Sequence, residues 1–214
     1  MKGFGVGRQP QHLIYFSLQR RRGNCMIERT LVLVKPDGIY RALVGKIIST
    51  FEDAGLKIVG VKMLRPTKEL VEKHYIWDEA WAKNVWEKTA KAAEEKGLKP
   101  SENYVEMGQR IRNLLIKYIV SKPVIAMVVE GNEAISIVRK LVGATSPSRA
   151  DPGSIRGKYS SDSYDMGDSK KRAVKNLMHA SEDKVTAERE IQVWFTKEEL
   201  IDYGRADEAA QYEE

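Results

Sequence analysis

Residues 123–143 have the sequence PVIAMVVEGNEAISIVRKLVG, in which a strand-like block is followed by a helix-like one. Its first part, Pro123 to Val129, is apolar throughout, which is typical of a buried strand. Apolar side chains then recur at the spacing of one helix face, at Ile135, Val138, Leu141 and Val142. Asn132 is expected to cap this helix and Gly143 to end it. A strand followed at once by an amphipathic helix predicts a domain that combines sheet and helix.

The same alternation of strand-like and helix-like blocks continues on both sides, from Met26 onward. Three further strands are predicted at Thr30–Val34, Lys57–Leu64 and Asn176–Ala180. Helices are predicted at 43–54, from an N-cap at Thr67 to Tyr75, at 77–96, up to about Ile119, and from an N-cap at Ser181 to Phe195. This order predicts the ferredoxin-like βαββαβ sandwich, an α+β fold in which helices cover one face of an antiparallel four-stranded sheet, here with an inserted helical segment.

Charge and composition exclude several classes of protein. The 214 residues are 42% hydrophobic and 31% charged, which excludes a globally disordered chain. The net charge of +6 suggests a polyanionic partner. However, residues 1–25 contain five basic residues (Lys or Arg) and no acidic residue, so this segment has a net charge of +5. The other 189 residues therefore have a net charge of only +1. No apolar run approaches the roughly 18 residues that a membrane-spanning helix needs.

This distribution predicts three regions. Residues 1–25 are expected to be a basic, disordered extension outside the fold, 26–196 a single domain, and 197–214 an acidic, mostly polar tail. The single cysteine, Cys25, excludes an intramolecular disulfide and favours a reducing, cytoplasmic location.

Residues 143–173 interrupt the alternation, because they are rich in Ser, Gly, Asp and Pro and contain few apolar side chains. A loop of this length in a compact domain is usually functional or disordered. Lys35 ends the first strand, His179 lies in the last, and three polar residues surround the loop, namely Arg139, Thr145 and Arg156. Lys and Arg are the residues that a polyphosphate site needs. The common phosphate-loop, dinucleotide and zinc motifs are absent from the sequence.

Several segments occur in the order seen in nucleoside diphosphate kinases, and the chain resembles that family over residues 26–196. They are Arg29–Gly38, Val142–Pro147, Pro152–Gly157, Asn176–Ser181 and Ala187–Ile191. The family fold is ferredoxin-like, in agreement with the order of elements above.

The resemblance implies an enzyme that moves the γ-phosphate of a nucleoside triphosphate first to a histidine and then to a nucleoside diphosphate. His179 matches the nucleophile, and a neutral imidazole has a lone pair available near pH 7. Glu190 matches the carboxylate that orients this ring. Lys35 would contact the transferring phosphate, with the Tyr75 hydroxyl beside it. We interpret the neighbouring His74 as a surface helix residue.

The resemblance also implies how the nucleotide binds. Arg139, Thr145 and Arg156 match residues that bind the β and γ phosphates, and Asn176 matches a contact to ribose and phosphates. Mg²⁺ is the expected cofactor, and it would arrive on the nucleotide phosphates without protein ligands, since it favours phosphate and water oxygens. The expected partners are ATP, GDP and other nucleotides, and a second copy of the chain in a hexamer or tetramer, with no nucleic acid or membrane required.

The chain departs from the family pattern at two insertions, about 77–100 and 160–170, which resemble those of archaeal members. Ile111 takes the place of the phenylalanine that stacks on the base in the family. Trp81 or Trp86 could replace that aromatic, but packing of the inserted helix is the favoured interpretation of both tryptophans.

Two alternatives share the βαββαβ topology. An RNA-binding module would need aromatic residues on its central strands, and Leu31–Val34 and Val124–Val129 have none. A regulatory relative without kinase activity would be expected to lose Lys35, Arg156 or His179, and all three are present.

Overall fold

In the computed structural model, which describes residues 20–22, 25–94, 97 and 102–212, the described strands form one antiparallel sheet. The strands are β1 (Arg20–Arg22), β2 (Cys25–Val34), β3 (Lys57–Leu64), β4 (Val124–Asn132) and β5 (Met178–Ala180). The main order is β5-β2-β4-β3, while β1 pairs with the other end of the same β2 edge. This order confirms the predicted ferredoxin-like arrangement, and β1 adds a fifth strand.

The helices are α1 (Pro36–Tyr40), α2 (Val44–Asp53), α3 (Lys68–His74), α4 (Glu79–Glu94), α5 (Tyr104–Val120), α6 (Ala134–Val142), α7 (Ile155–Tyr159), α8 (Tyr164–Ser169), α9 (Lys184–Trp194) and α10 (Glu208–Tyr212). None of those described is long and apolar enough to cross a membrane.

Helices cover both faces of the sheet, so the prediction of one covered face is wrong. On one face, Val32 and Met127 pack with Phe51 of α2 and with α6. On the other, Leu33 and Val128 pack with side chains of α3, α5 and α9. Burial on both faces explains why β4 is apolar at every position from Val124 to Val129 instead of alternating.

Two predicted helix caps are wrong, while the Thr67 cap is confirmed by a 3.2 Å bond that its hydroxyl accepts from the Leu70 amide. Asn132 ends β4, and α6 follows Glu133, whose φ of 47° lies in the left-handed region. Asp183, not Ser181, caps α9 by accepting a hydrogen bond of 2.8 Å from the Thr186 amide.

The predicted boundary at residue 25 is also wrong. Arg20–Arg22 pair with the start of β2, so the sheet includes part of the basic segment. Residues 1–19, 23 and 24 lie outside the described part of the chain. The acidic tail folds back onto β3: the Ile201 amide donates to the Val59 carbonyl at 2.7 Å, and α10 follows.

Both insertions contain helices. In the first, Trp86 of α4 donates its indole N–H to the Glu102 carbonyl at 2.7 Å. Gly108 of α5 has no space for a side chain because Trp77 and Ala82 pack against it. These contacts support the packing interpretation for Trp86 and show that Trp77 also packs against α5. The second insertion contains α8. In the longer stretch 143–173, which composition suggested to be an uncovered loop, a 3₁₀ turn (Pro147–Arg149), α7 and α8 are present.

Candidate active site

His179 lies at the centre of β5, the short strand that pairs with the end of β2. The pairing places it opposite Leu33, so the sheet fixes its backbone. Its Nε2 atom lies 2.8 Å from Oε2 of Glu190, which projects from α9. The side chain of His179 is 20% exposed while that of Glu190 is 4% exposed. The imidazole therefore has one edge fixed by a buried carboxylate and remains reachable from outside.

Glu190 is ionised despite its burial. Burial alone would raise the pKa of this carboxyl, but the charge and hydrogen bond of His179, with smaller effects of His74 and Ser181, lower the pKa to about 2. The Ser181 hydroxyl donates to the same Oε2 atom at 2.6 Å. Because an ionised carboxylate can only accept, the His179 Nε2 atom must carry the hydrogen. The lone pair of the ring is then on Nδ1.

Lys35 follows β2 and is buried beside β5. Its amide donates to the Leu177 carbonyl at 2.8 Å, and its Nζ donates to the Asn176 side-chain oxygen at 2.7 Å. Burial, and then the nearby charge of Arg156, lower the pKa of Lys35 to about 7. This ammonium group has a neutral amide as its hydrogen-bond partner and a second cation nearby. An anionic ligand would stabilise its charged form.

Arg156 and Asn176 tie together the segments that surround the site. The Arg156 guanidinium donates to the carbonyls of Asn176, Gly143 and Met178 at 3.1, 2.8 and 2.7 Å. The Asn176 amide donates to the Thr145 carbonyl at 2.8 Å. Burial lowers the pKa of Arg156 to about 10, which leaves it charged at neutral pH. The loop after α6 is thereby fixed against β5.

The structure brings most of the predicted site residues together. Lys35, Asn176 and Arg156 form one connected group beside His179 and Glu190. Thr145 joins this group through its carbonyl, while its side chain is exposed. Arg139 is exposed in the last turn of α6, and its charge acts on Arg156. Ile111 is half-buried in the middle of α5.

Tyr75 and His74 form the inner wall of the site. The Tyr75 ring lies 6.3 Å from the His179 ring, and its hydroxyl is buried without a hydrogen bond among the described residues. His74 is 2% exposed, so its interpretation as a surface residue is wrong. Its ring packs edge-on against His179 at 4.5 Å, and its Nδ1 lies 3.5 Å from Glu190. Burial and the charge of His179 lower the pKa of His74 well below its usual value.

Sequence analysis also missed two residues that hold the site in place. Asp37 accepts from the Tyr118 hydroxyl at 2.6 Å and from the Leu177 amide at 3.0 Å, and so links α1 to α5 and to the residue that precedes β5. Asp37 could have been identified from its position in Arg29–Gly38, one of the segments that resemble the kinase family. Ser181, interpreted as a helix cap, instead donates to Glu190.

The polar groups of the site favour an anion over a bare metal ion. His74, His179 and Glu190 have ligand atoms within 4.8 Å of one another. Two nitrogens and one carboxylate do not form the all-oxygen set that Mg²⁺ prefers. Among the described residues at the site, the carboxylates of Glu190 and Asp37 are both engaged in hydrogen bonds. The other charged groups of the site, Lys35, Arg139 and Arg156, are basic and suit phosphate oxygens.

Comparison with known proteins shows the family to which the chain belongs. The family model for nucleoside diphosphate kinase matches residues 28–98 and 101–200. A nucleoside diphosphate kinase of Pyrobaculum aerophilum is 47% identical over 181 residues, which cover 82% of this chain and 99% of the relative. That of Pyrococcus furiosus is 44% identical over 180 residues, which cover 84% and 90%.

Two solved structures are also similar. The NDP kinase from Pyrobaculum aerophilum aligns with a TM-score of 0.78 and 46% identity, over 82% of this chain and all of that one. The nucleoside diphosphate kinase from Borrelia burgdorferi, a transition state mimic with bound vanadate and ADP, aligns with a TM-score of 0.73 and 37% identity, over 87% and 98%. The chain belongs to the nucleoside diphosphate kinase family, whose members are phosphotransferase enzymes.

Proposed function

We propose that this chain transfers the terminal phosphoryl group of a nucleoside triphosphate to Nδ1 of His179 and from there to a nucleoside diphosphate. One observation carries the proposal: the 2.8 Å bond between Nε2 and the ionised Glu190 carboxylate. It fixes the tautomer, so that Nδ1 has the lone pair. Partial exposure of the ring gives a phosphate access to that atom.

In the first half of the reaction, the Nδ1 lone pair forms a bond to the γ-phosphorus. The bond from that phosphorus to the bridging oxygen breaks, and the nucleoside diphosphate leaves with the electron pair on its β-phosphate oxygen. In the second half, a β-phosphate oxygen of the acceptor attacks the phosphorus and Nδ1 recovers its lone pair. Nε2 keeps its hydrogen throughout, because Glu190 stabilises the cationic ring that exists while Nδ1 carries the phosphoryl group.

The cations beside His179 would bind the phosphates. Lys35 is near enough to Asn176 and Arg156 for the three to act on one group. We assign Lys35 to the transferring phosphoryl, with Tyr75 beside it. The other phosphate contacts would come from Arg139, Thr145, Arg156 and Asn176. Positioning and charge neutralisation of this kind supply most of the catalysis in phosphoryl transfer.

We further propose that Mg²⁺ enters on the nucleotide phosphates, where it would neutralise negative charge during transfer. We assign no protein side chain as its ligand. The expected assembly is a hexamer or tetramer, and the expected location is the cytoplasm. Sedimentation velocity and localisation of a tagged chain test these two proposals.

Transfer of label from [γ-³²P]ATP tests the central proposal. With Mg²⁺, the protein should acquire acid-labile label, which added GDP removes as labelled GTP. His179→Ala should acquire none. If His179→Ala still acquires label and passes it to GDP, the mechanism is wrong and a residue other than His179 carries the phosphate.

A further inference from the structure

His74 is buried beside His179 but has no step in the proposed reaction. Its side chain is 0% exposed, and neither ring nitrogen has a hydrogen-bond partner among the described residues. Leaving a buried polar group without a partner costs about 1–3 kcal/mol, whereas an apolar ring of the same shape would pack here without that cost. Packing alone therefore does not explain why this position holds an imidazole.

An acceptor for this imidazole lies on Glu190. The Oε2 atom of the carboxylate already binds Nε2 of His179 at 2.8 Å and accepts from the Ser181 hydroxyl at 2.6 Å. The Oε1 atom faces Nδ1 of His74 and Nη2 of Arg189, each at 3.5 Å. The Arg189 side chain is 33% exposed, so water screens its charge, and His74 is the buried one of these two groups.

The backbone that carries His74 is held in place from two helices. Arg189 of α9 donates from Nη1 to the carbonyls of Lys73 and His74, at 3.0 and 3.2 Å. Arg112 of α5 donates from Nε to the Tyr75 carbonyl at 2.5 Å. The two arginines thus bind carbonyls that the end of α3 leaves without helical partners. The imidazole of His74 is therefore presented to Glu190 from a fixed backbone.

The charge of Glu190 selects one tautomer of His74. Burial and the charge of His179 lower the pKa of His74, so its ring is neutral near pH 7 and has one N–H. An ionised carboxylate only accepts, so the nitrogen that faces Oε1, Nδ1, carries this hydrogen. A normal N–H···O bond measures about 2.7–3.2 Å, so a movement of about half an ångström would close the 3.5 Å gap. Catalytic hydrogen bonds are often long in the free enzyme and shorten when the substrate binds.

We infer that His74 is a positioning residue: when the nucleotide is bound, its Nδ1–H donates to Oε1 of Glu190 and keeps Oε2 aligned with Nε2 of His179. The inference rests on the proposed function, in which Glu190 sets the tautomer of His179 and stabilises its cationic ring. A carboxylate held at both oxygens cannot rotate about its terminal bond, so the direction of the His179 lone pair is fixed. Loss of such an outer hydrogen bond typically lowers activity by about 10–100-fold.

Rapid-quench measurement of label transfer from [γ-³²P]ATP to the protein tests the inference. His74→Phe keeps a ring of similar shape but has no nitrogen, and its rate at saturating ATP should be roughly tenfold lower than that of the unchanged protein. The ATP concentration that gives half of the maximal rate should not change, because His74 does not contact the nucleotide. His74→Asn places an amide N–H close to the position of Nδ1, so it should restore most of the lost rate.

Two further measurements separate positioning from packing. Trp194→Phe is the matched control, because the Trp194 ring packs edge-on against the His74 ring at 5.7 Å and the substitution leaves Nδ1 in place. Its rate should remain close to that of the unchanged protein. In urea denaturation, His74→Phe should lose no stability, since an apolar ring replaces a buried polar ring that lacks hydrogen-bond partners among the described residues.

Two results would overturn the inference while leaving the proposed function intact. If His74→Phe acquires label as fast as the unchanged protein, Nδ1 does not position Glu190. If His74→Phe and His74→Asn are equally slow, the ring acts by packing against His179 and not as a donor. Absence of label from the unchanged protein is a different result, because it would overturn the proposed function and the role of His74 together.

Discussion

Two buried lysines lie at opposite ends of the same sheet and have opposite surroundings. Lys57 of β3 bonds to Glu130, Glu208 and the Tyr203 carbonyl, each at 2.8–2.9 Å. Burial would lower its pKa, but the two carboxylates outweigh that effect and raise it. Lys35, at the end of β2, bonds to the neutral side chain of Asn176 and has a pKa lowered to about 7.

This difference separates a structural charge from a functional one. The ammonium of Lys57 is neutralised inside the protein, where it joins β3 and β4 to the folded tail. Lys35 has no carboxylate hydrogen-bonded to its Nζ among the described residues, and Arg156 adds like charge. Burying a cation in this way destabilises the fold. A phosphate would supply the missing negative charge, so the cost of burial is recovered when a nucleotide binds.

Substitution of Lys35 should give the largest effect. We expect Lys35→Met to lower kcat by about 10²–10³-fold, the size of effect seen when a group that stabilises transition-state charge is lost. Its free energy of unfolding at pH 7 should not fall. The folded-state pKa lies below the unfolded value, so charged Lys35 destabilises the fold most below pH 7, and this effect disappears as the pH rises towards 10. Steady-state kinetics and urea denaturation measure the two quantities.

Lys57→Met is the matched variant, with the opposite expected pattern. Removal of one partner from a buried ion pair costs about 3–5 kcal/mol, and we expect the lower end, about 3 kcal/mol, because Arg29 still pairs with Glu130 at 2.7 Å. The kcat per folded molecule should remain unchanged. A loss of activity without a loss of stability would contradict the division between the two lysines.

The sequence predicted correctly the elements that a local pattern defines. Its predictions were wrong for residues whose surroundings depend on contacts with distant parts of the chain. Strand Lys57–Leu64 has the predicted bounds, because alternating side chains and Pro66 define it without reference to the rest of the chain. Ser181 was assigned as a cap because its sequence neighbours suit one, yet its hydroxyl bonds to Glu190, nine residues later. His74 lies on a polar helix, and only the packing of β5 and α9 buries it.

The same distinction applies to the candidate site. The segments around Lys35, Arg156, Asn176 and His179 pointed to one polyphosphate site, and the structure brings these residues together. The contact between α8 and α5 could not be predicted, because it joins Arg110 and Asp168, which are 58 residues apart in sequence. Likewise, acidic composition alone could not show that the tail pairs with Lys57, because that contact spans 151 residues.

The smallest expected effect is a change in protonation when a nucleotide binds. At pH 8, which is above the pKa of about 7, we expect Lys35 to be mostly neutral in the free protein. Phosphate oxygens beside Nζ should raise the pKa of Lys35. Lys35 should therefore take up close to one proton for each ADP that binds. Calorimetric titration with ADP in HEPES and in Tris, which differ in ionisation enthalpy, gives this number. Lys35→Arg is the control, since a guanidinium stays charged before and after binding, and it should show no uptake. Equal proton uptake in both proteins would mean that another group titrates, and Lys35 would then be charged in the free site as Lys57 is.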